Sequence, residues 1–288
     1  MRERFLTFLS LVPALGLIAL LFGASLLYGI TQSLGYLPFI QQETLSLEAY
    51  RNLLVGPSAA NTEFWGSLGF SLWVSGAATL LSALLALVIV TFIGERLRAG
   101  TGSLMLLNLN LAFPHLVWAI GLSLLLAQSG LLARIATLLG LIDAPAEFPV
   151  LVRDRFGIGI ILHYVTKGTP FLILMLLSVI RSQTEAYSMV AENLGATLWQ
   201  RLRYVTFPLV LPGLTAGSLL IFAFVFGAYE VPALLGVRFP RMLSVLALEF
   251  FRNPDLGSRA EGMAISVIMA LVVLVVAATA RHLTSRNL

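Results

Sequence analysis

Long apolar runs, separated by short polar stretches, dominate the hydrophobic pattern of this chain. Charged residues are almost absent from 5–42, 64–94, 99–133, 156–180, 204–229 and 262–280. Each run can hold the roughly 20 apolar residues that cross a bilayer as a helix. The pattern predicts an all-α integral membrane protein with six membrane helices, near 8–30, 67–93, 104–127, 157–180, 209–230 and 261–281.

Composition supports a membrane protein and narrows its partners. Hydrophobic residues make up 58% of the chain and charged residues 11%, against about 25% charged residues in a soluble domain. The 18 basic and 14 acidic residues therefore indicate membrane topology, and no nucleic-acid partner is expected. The absence of cysteine excludes disulfides and thiolate metal sites. The first apolar run follows Arg2 and Arg4 like a secretory signal, but exceeds the ~7–15 residues of a signal core. We expect an uncleaved helix.

Six helices place both termini on one side of the membrane. The arginines on that side lie close to the helix ends, which favours a cytoplasmic location for both termini. We divide the chain into 1–60, a first helix with its outer loop, and 61–288, a membrane core with a cytoplasmic loop at 181–208. Short helices are predicted in three outer segments, at 47–54, within 129–141 and at 242–251.

A polar island at 185–212 interrupts the apolar pattern between the fourth and fifth helices. Ser182 with Glu185, and Thr197 with Gln200, each have the spacing of a capping box that starts a helix. Gly195 lies between them, where a left-handed residue ends a helix. Pro208 and Pro212 follow, at the start of the next membrane helix. The island predicts a helix–turn–helix held at one membrane surface.

This island resembles the EAA motif of the permease subunits of bacterial binding-protein-dependent ATP-binding-cassette importers. The motif has Glu-Ala-Ala, three residues, glycine, nine residues and Ile-x-Leu-Pro. Matching spacings are found at Gly195, Ala196, Val205, Phe207 and Pro208. The triplet falls on Met189-Val190-Ala191, where only the last alanine agrees, so either Glu185 or Glu192 takes the place of the motif glutamate. With weaker similarity around 162–171 and 230–236, the resemblance covers the chain from about residue 60 onward.

The resemblance implies a multi-pass permease of the bacterial inner membrane with a type I importer fold. Its loop 182–200 would contact a separate ATPase, through Glu185, Ala186, Met189, Val190, Ala191, Glu192, Leu194, Gly195 and Ala196. The implied partners are two ATPase subunits that bind ATP and magnesium, a second permease subunit, a periplasmic substrate-binding protein and membrane lipid. The segment 226–236 is similar to permeases for polyamines, thiamine and ferric iron, which suggests a substrate of that kind.

The residues themselves argue against catalysis by this chain. The phosphate-binding pattern GxxxxGK[ST] is absent, because Lys167-Gly-Thr169 lacks the preceding glycine-rich loop. Three scattered histidines without an acidic cluster make no metal site, and no cofactor is expected. The main alternative is an ion-coupled secondary transporter, which needs an acidic residue in a broken membrane helix, and Glu230 is the one candidate. A membrane enzyme is a weaker alternative, because no catalytic set converges.

Five residues are candidates for a translocation path. Lys167, the only lysine, falls in the middle of the fourth helix, with His163 one turn earlier on the same face. A membrane charge needs a cavity or a partner; otherwise Lys167 extends along the helix to the membrane surface. Glu230, beside Tyr229, either pairs with Lys167 at the outer mouth of a path or is an ordinary interfacial acid. His115 after Pro114 either packs through a hydrogen bond or lines the path.

Overall fold

The computed structural model describes residues 2–55, 59–99 and 101–286, and these residues are almost entirely helical. A helix satisfies its own backbone groups, which a lipid surrounding cannot do. In these ranges the α-helices are α1 Arg2–Ser33, α2 Glu48–Leu54, α3 Ala59–Ala99, α4 Thr101–Ala112, α5 His115–Leu126, α6 Leu131–Leu138, α7 Ile158–Asn193, α8 Leu198–Arg201, α9 Phe207–Gly227, α10 Glu230–Leu235, α11 Leu243–Phe251 and α12 Arg259–Arg286.

Six segments of the described chain are long and apolar enough to span a membrane, as the hydrophobic pattern predicted. They are Leu11–Ser33, Ala59–Phe92, His115–Leu138, Ile158–Ser178, Trp199–Gly227 and Leu256–His282. The third differs from expectation, because the helix predicted at 104–127 is broken between α4 and α5. Pro114 causes the break: it has no N–H to continue the ladder, and it disfavours helical geometry at Phe113.

The predicted short helices form. The first predicted outer helix is α2, the second is α6 and the third is α11. A helix start at Ser182, in contrast, is wrong. The fourth membrane helix continues without interruption as α7 through Asn193. A capping box requires a non-helical residue at its first position, and the continuous backbone ladder through Ser182 leaves no free N–H groups to cap.

The chain forms two compact units, and the first comprises Met1–Trp65 and Leu246–Leu271. Its long α1 is mostly exposed from Leu11 to Tyr28, as expected for an apolar helix surrounded by lipid. The amide of Asn52 on α2 donates to Glu261 on α12 at 3.3 Å. The division of the chain at residue 60, which came from the sequence, did not place Leu246–Leu271 in this unit. Contacts between segments that are distant in the sequence leave no local pattern that could indicate such a unit.

The second unit comprises Gly66–Val245 and Val272–Leu288. Its buried core is formed mainly by α3, α7 and α9, with fully buried side chains such as Val74, Leu172, Leu176 and Val210. The helices α7 and α9 approach closely at Gly217, where an added Cβ would lie 2.5 Å from Leu172 Cδ2. The absence of a side chain at Gly217 therefore allows close packing of two membrane helices within the subunit.

Candidate functional site

Residues 182–200, the coupling segment, begin inside α7 and turn at Gly195. This glycine has φ +77°, and the Ala196 N–H donates to the Ala191 carbonyl at 3.0 Å. A six-to-one bond over a left-handed glycine is a Schellman C-cap. An added Cβ at Gly195 would meet no atom within 4 Å. Backbone conformation, rather than lack of space, therefore requires glycine here, as predicted.

The second half of the coupling segment starts with a capping box. The Gln200 N–H donates to Thr197 Oγ1 at 3.3 Å, and Gln200 Oε1 accepts from the Thr197 N–H at 2.8 Å. The predicted capping box at Thr197 is thus confirmed. It starts α8, which continues through a π-helical turn at Leu202–Thr206 into α9. The turn between α7 and α8 is consequently fixed on both sides by local hydrogen bonds.

The coupling segment exposes large apolar side chains. Leu194 is 82% exposed and Val190 is 58% exposed, while Ala191 and Ala196 are half-buried. The side chains of Glu185, Ala186, Met189 and Glu192 lie outside the described residues, so the residue that replaces the motif glutamate stays a prediction. Exposed aromatic residues extend the surface beyond the predicted set, at Tyr187, Trp199 and Tyr204. The sequence signal that could have identified them is the presence of aromatic residues within an otherwise polar segment.

The second candidate site is the break between α4 and α5. In a continuous helix the Asn110 carbonyl would accept from residue 114, which is proline and has no N–H. The Trp118 N–H donates to the Pro114 carbonyl at 3.1 Å. The α5 ladder therefore begins at Pro114, and the carbonyl of Phe113 belongs to neither helix. The carbonyls of Asn110 and Phe113 are therefore left without a backbone donor in apolar surroundings.

Lys167 supplies the missing donor at this break. Its ammonium donates to the Asn110 carbonyl at 2.5 Å and to the Phe113 carbonyl at 2.6 Å. Lys167 is only 3% exposed, so the alternative in which it extends to the membrane surface is wrong. A cation at a helix C-terminus also interacts favourably with the helix dipole. In the described structure no ion pair joins Lys167 to Glu230, so the alternative in which these two residues pair is wrong.

A hydrogen-bonded cluster surrounds this clamp. His115 Nδ1 lies 3.2 Å from His163 Nε2, which brings two of the predicted path residues together. The Trp118 indole donates to Thr166 Oγ1 at 2.9 Å, and its ring lies 5.9 Å from the Lys167 ammonium. His115 is thus hydrogen-bonded, in agreement with one of its two interpretations. It also borders a cavity.

A cavity of about 390 Å³ adjoins the cluster. Its walls come from α4, α5, α7 and α9, and are lined by Leu111, His115, Tyr164, Lys167, Gly168, Phe171, Leu220, Ile221, Phe224 and Val225. His163 is fully buried behind it. Tyr229 and Glu230 are exposed at the start of α10 and do not line it. The structure thus brings His115, His163 and Lys167 together, and leaves the other two predicted residues outside the lining.

Sequence reasoning missed the aromatic part of this site. Tyr164 and Phe224 pack around His115, with the ring of Phe224 4.9 Å from the imidazole. The available signal was the i to i+3 relation of Tyr164 to Lys167 on α7. Trp118 also has a sequence signal, because it lies four positions after Pro114. Its N–H is therefore the first that can donate to the Pro114 carbonyl when a new helix begins there.

Comparison with known proteins defines the family. Residues 83–287 match the model of the family described as "Binding-protein-dependent transport system inner membrane component", which is more than half of the 288-residue chain. The chain belongs to this family. It is therefore a permease component of an ATP-binding-cassette importer in the inner membrane. Members of the family are not catalysts, and a separate ATPase hydrolyses ATP.

Two curated relatives show how far the similarity extends. The permease is 30% identical over 236 residues to the spermidine/putrescine transport system permease protein PotB of Haemophilus influenzae, covering 80% of this chain and 78% of that protein. It is 28% identical over 165 residues to the inner membrane ABC transporter permease protein YnjC of Escherichia coli, covering 56% of this chain. The match spans only 30% of the length of YnjC.

A solved structure confirms the fold. A chain from a bacterial ABC transporter involved in the import of the acidic polysaccharide alginate superposes with a TM-score of 0.76, covering 99% of this permease and 96% of that chain. The two sequences are 18% identical, so the likeness concerns the fold alone. It agrees with the all-α fold and six spans expected from the hydrophobic pattern.

Proposed function

We propose that this permease forms a solute path through the inner membrane and couples it to a separate ATPase through the coupling segment. The observation that carries the proposal is the exposure of Leu194 and Val190 beside the rigid turn at Gly195. Exposed apolar side chains rimmed by polar residues are typical of a protein contact. Because hydrogen-bonded caps fix both sides of the turn, a force applied at this contact would move the adjoining helices and would not bend the turn.

The continuity of α7 supports a lever mechanism. The helix runs from Ile158 in the membrane to Asn193 in the coupling segment without interruption. Displacement of Val190 by an ATPase would therefore move the part of α7 that carries Lys167. Coupling of this kind needs an element with two positions that both partners can bias. The close packing of α7 on α9 at Gly217 would carry the same movement to the fifth membrane helix.

The proposed assembly has four kinds of partner. Two ATP-binding-cassette subunits would bind ATP and magnesium, and a second permease subunit would complete the path. A periplasmic binding protein would deliver the solute, in agreement with the description of the family as binding-protein-dependent. Lipid would cover exposed apolar helices such as α1. Both termini would lie in the cytoplasm.

The solutes to test first follow from the family resemblance: a polyamine, thiamine or an iron complex. The similarity to PotB supports the first of them. Membership of a family does not fix a ligand, however, because specificity resides in the side chains of the site. The cation on the cavity wall does not favour a positively charged solute.

Co-purification with an ATPase tests the proposed function. The permease would be co-expressed with an ATP-binding-cassette subunit encoded beside it, as wild type and as Leu194→Asp. A charge on the apolar contact should abolish co-purification and ATP-dependent uptake. Leu45→Asp is the matched control, because Leu45 is also exposed, at 66%, but lies far from the coupling segment in sequence.

The same assay distinguishes the alternative. Uptake that persists without any ATPase and collapses when the ion gradient is dissipated would favour an ion-coupled transporter. Normal ATPase binding by Leu194→Asp would remove Leu194 from the contact.

A further inference from the structure

We infer that the cavity between α4, α5, α7 and α9 binds a small organic anion with an apolar ring or chain. This inference rests on the proposed solute path, because the ligand would be the solute in transit. It departs from the cationic solutes that the family resemblance suggests. The first observation is charge. Lys167 is a cation on the cavity wall, and none of the described residues that line the cavity is acidic. Glu230 acts electrostatically on His115 and Tyr164 but lies outside the lining.

The contacts of Lys167 do not neutralise it. Its two hydrogen-bond acceptors are backbone carbonyls, which are dipoles without net charge. The Trp118 ring adds a cation–π contact, which also leaves the charge in place. Because an ammonium has three N–H groups, one donor remains beyond the two carbonyls. An anion in the cavity would gain from this charge more than it would in water, since the surrounding dielectric is low.

A second donor without a partner lies in the same wall. Tyr164 is 2% exposed and its hydroxyl has no hydrogen-bond partner in the described structure. A buried hydroxyl that makes no hydrogen bond loses its hydration without compensation. A carboxylate or similar oxyanion accepts several hydrogen bonds, and Tyr164 and Lys167 both line the cavity.

The remaining walls favour an apolar body on the ligand. Phe171 and Phe224 supply aromatic surface, and Leu111, Leu220, Ile221 and Val225 supply aliphatic surface. The volume of about 390 Å³ lies in the range of sites for small molecules, about 300–1,000 Å³. An inorganic oxyanion would leave these walls uncovered, and a polyamine would meet the ammonium of Lys167. The ligand that fits both parts of the wall is an amphiphilic organic monoanion.

The single lysine allows a direct test. The full chain would be labelled with ¹⁵N,¹³C-lysine and reconstituted in lipid nanodiscs, so that its one lysine signal reports on Lys167. Benzoate, benzylammonium and benzyl alcohol, which share one ring and differ in charge, would be added in separate titrations. We expect a saturable shift of the Lys167 signal with benzoate, a much weaker one with benzyl alcohol, and none with benzylammonium. Equal responses to all three, a preference for benzylammonium, or no response to any would overturn the inference.

Three variants sharpen this test. Leu220→Asp places a carboxylate in the cavity, and Leu220→Asn is its neutral counterpart of nearly the same size. Benzoate affinity should fall at least about tenfold more in the first than in the second, because only the first adds repulsion. Tyr164→Phe should weaken benzoate binding about three- to tenfold, through loss of one hydrogen bond. Equal affinities in the Leu220 pair would contradict the inference.

The titration with the wild-type chain does not depend on the folding of any of these variants. It also needs no ATPase, so its outcome does not depend on the co-purification test of the coupling segment. A benzoate response without ATPase binding would retain the anion site and remove the proposed coupling; the reverse result would retain the coupling and remove the anion site.

Discussion

The Lys167 ammonium lies 2.5 Å from the carbonyl oxygen of Asn110. That carbonyl is the acceptor that Pro114 cannot serve, because proline has no N–H. A break in a membrane helix leaves polar groups that lipid cannot satisfy. The only lysine of the chain satisfies them from the neighbouring helix. A residue that first suggests a substrate contact is thus also part of the framework that shapes the cavity.

Removal of this clamp should destabilise the permease. We expect Lys167→Met to lower the free energy of unfolding by about 2–4 kcal/mol, because two charge-assisted hydrogen bonds are lost. The midpoint of thermal unfolding in detergent measures the effect.

A second substitution tests the cause. Pro114→Ala restores an N–H for the Asn110 carbonyl, so the double variant Pro114→Ala/Lys167→Met should recover part of the lost stability. Pro114→Ala alone is the control. Strict additivity of the two changes would show that Lys167 and Pro114 are not coupled.

The turn of the coupling segment should not tolerate a branched residue. Gly195→Val must hold φ near +77°, where a Cβ costs about 1–2 kcal/mol. We expect loss of ATPase co-purification and uptake while the membrane helices still insert.

Gly140→Val is the matched control for this change. Gly140 also has a left-handed φ, +67°, and an added Cβ there also meets no atom within 4 Å. Similar strain outside the coupling segment should leave ATPase binding intact. Equal loss of ATPase binding in both variants would point to general misfolding.

The missing motif glutamate gives a third prediction. If Glu185 or Glu192 replaces it, Glu185→Ala or Glu192→Ala should weaken ATPase binding, and Met189→Glu should be tolerated. Binding of the purified ATPase to the permease in nanodiscs measures the change. If both alanine variants bind and transport normally, the contact is mainly apolar, through Met189, Val190 and Leu194.

The contact of α12 with α11 gives a fourth prediction. A Cβ at Gly262 would lie 2.7 Å from the Ala247 carbonyl oxygen and 2.9 Å from the Phe251 amide nitrogen. Because backbone cannot yield as a side chain can, Gly262→Ala should cost about 1–3 kcal/mol of stability. Gly121→Ala is the control: it meets no atom within 4 Å, and its higher helix propensity should raise stability by about 0.5–1 kcal/mol. Thermal unfolding of both variants decides between these outcomes.

The sequence by itself determined the features that arise from local physics. Apolar run length fixed the six membrane spans, because bilayer thickness sets the length of a crossing helix. The turn at Gly195 and the cap at Thr197 were predictable for the same reason, since each involves residues within five positions of one another. The family also followed from such spacing, through Gly195 and Pro208.

Tertiary structure decided whatever depends on partners that are distant in sequence. Ser182 carries a helix-start signature worth about 1 kcal/mol, which cannot outweigh the continuous backbone ladder of α7. The partners of Lys167 are the carbonyls of Asn110 and Phe113. Because every residue has a backbone carbonyl, the identity of the residues does not indicate which carbonyls accept hydrogen bonds from Lys167. Only the packing of α7 against the α4–α5 break selects these two, and leaves Glu230 outside the cavity lining.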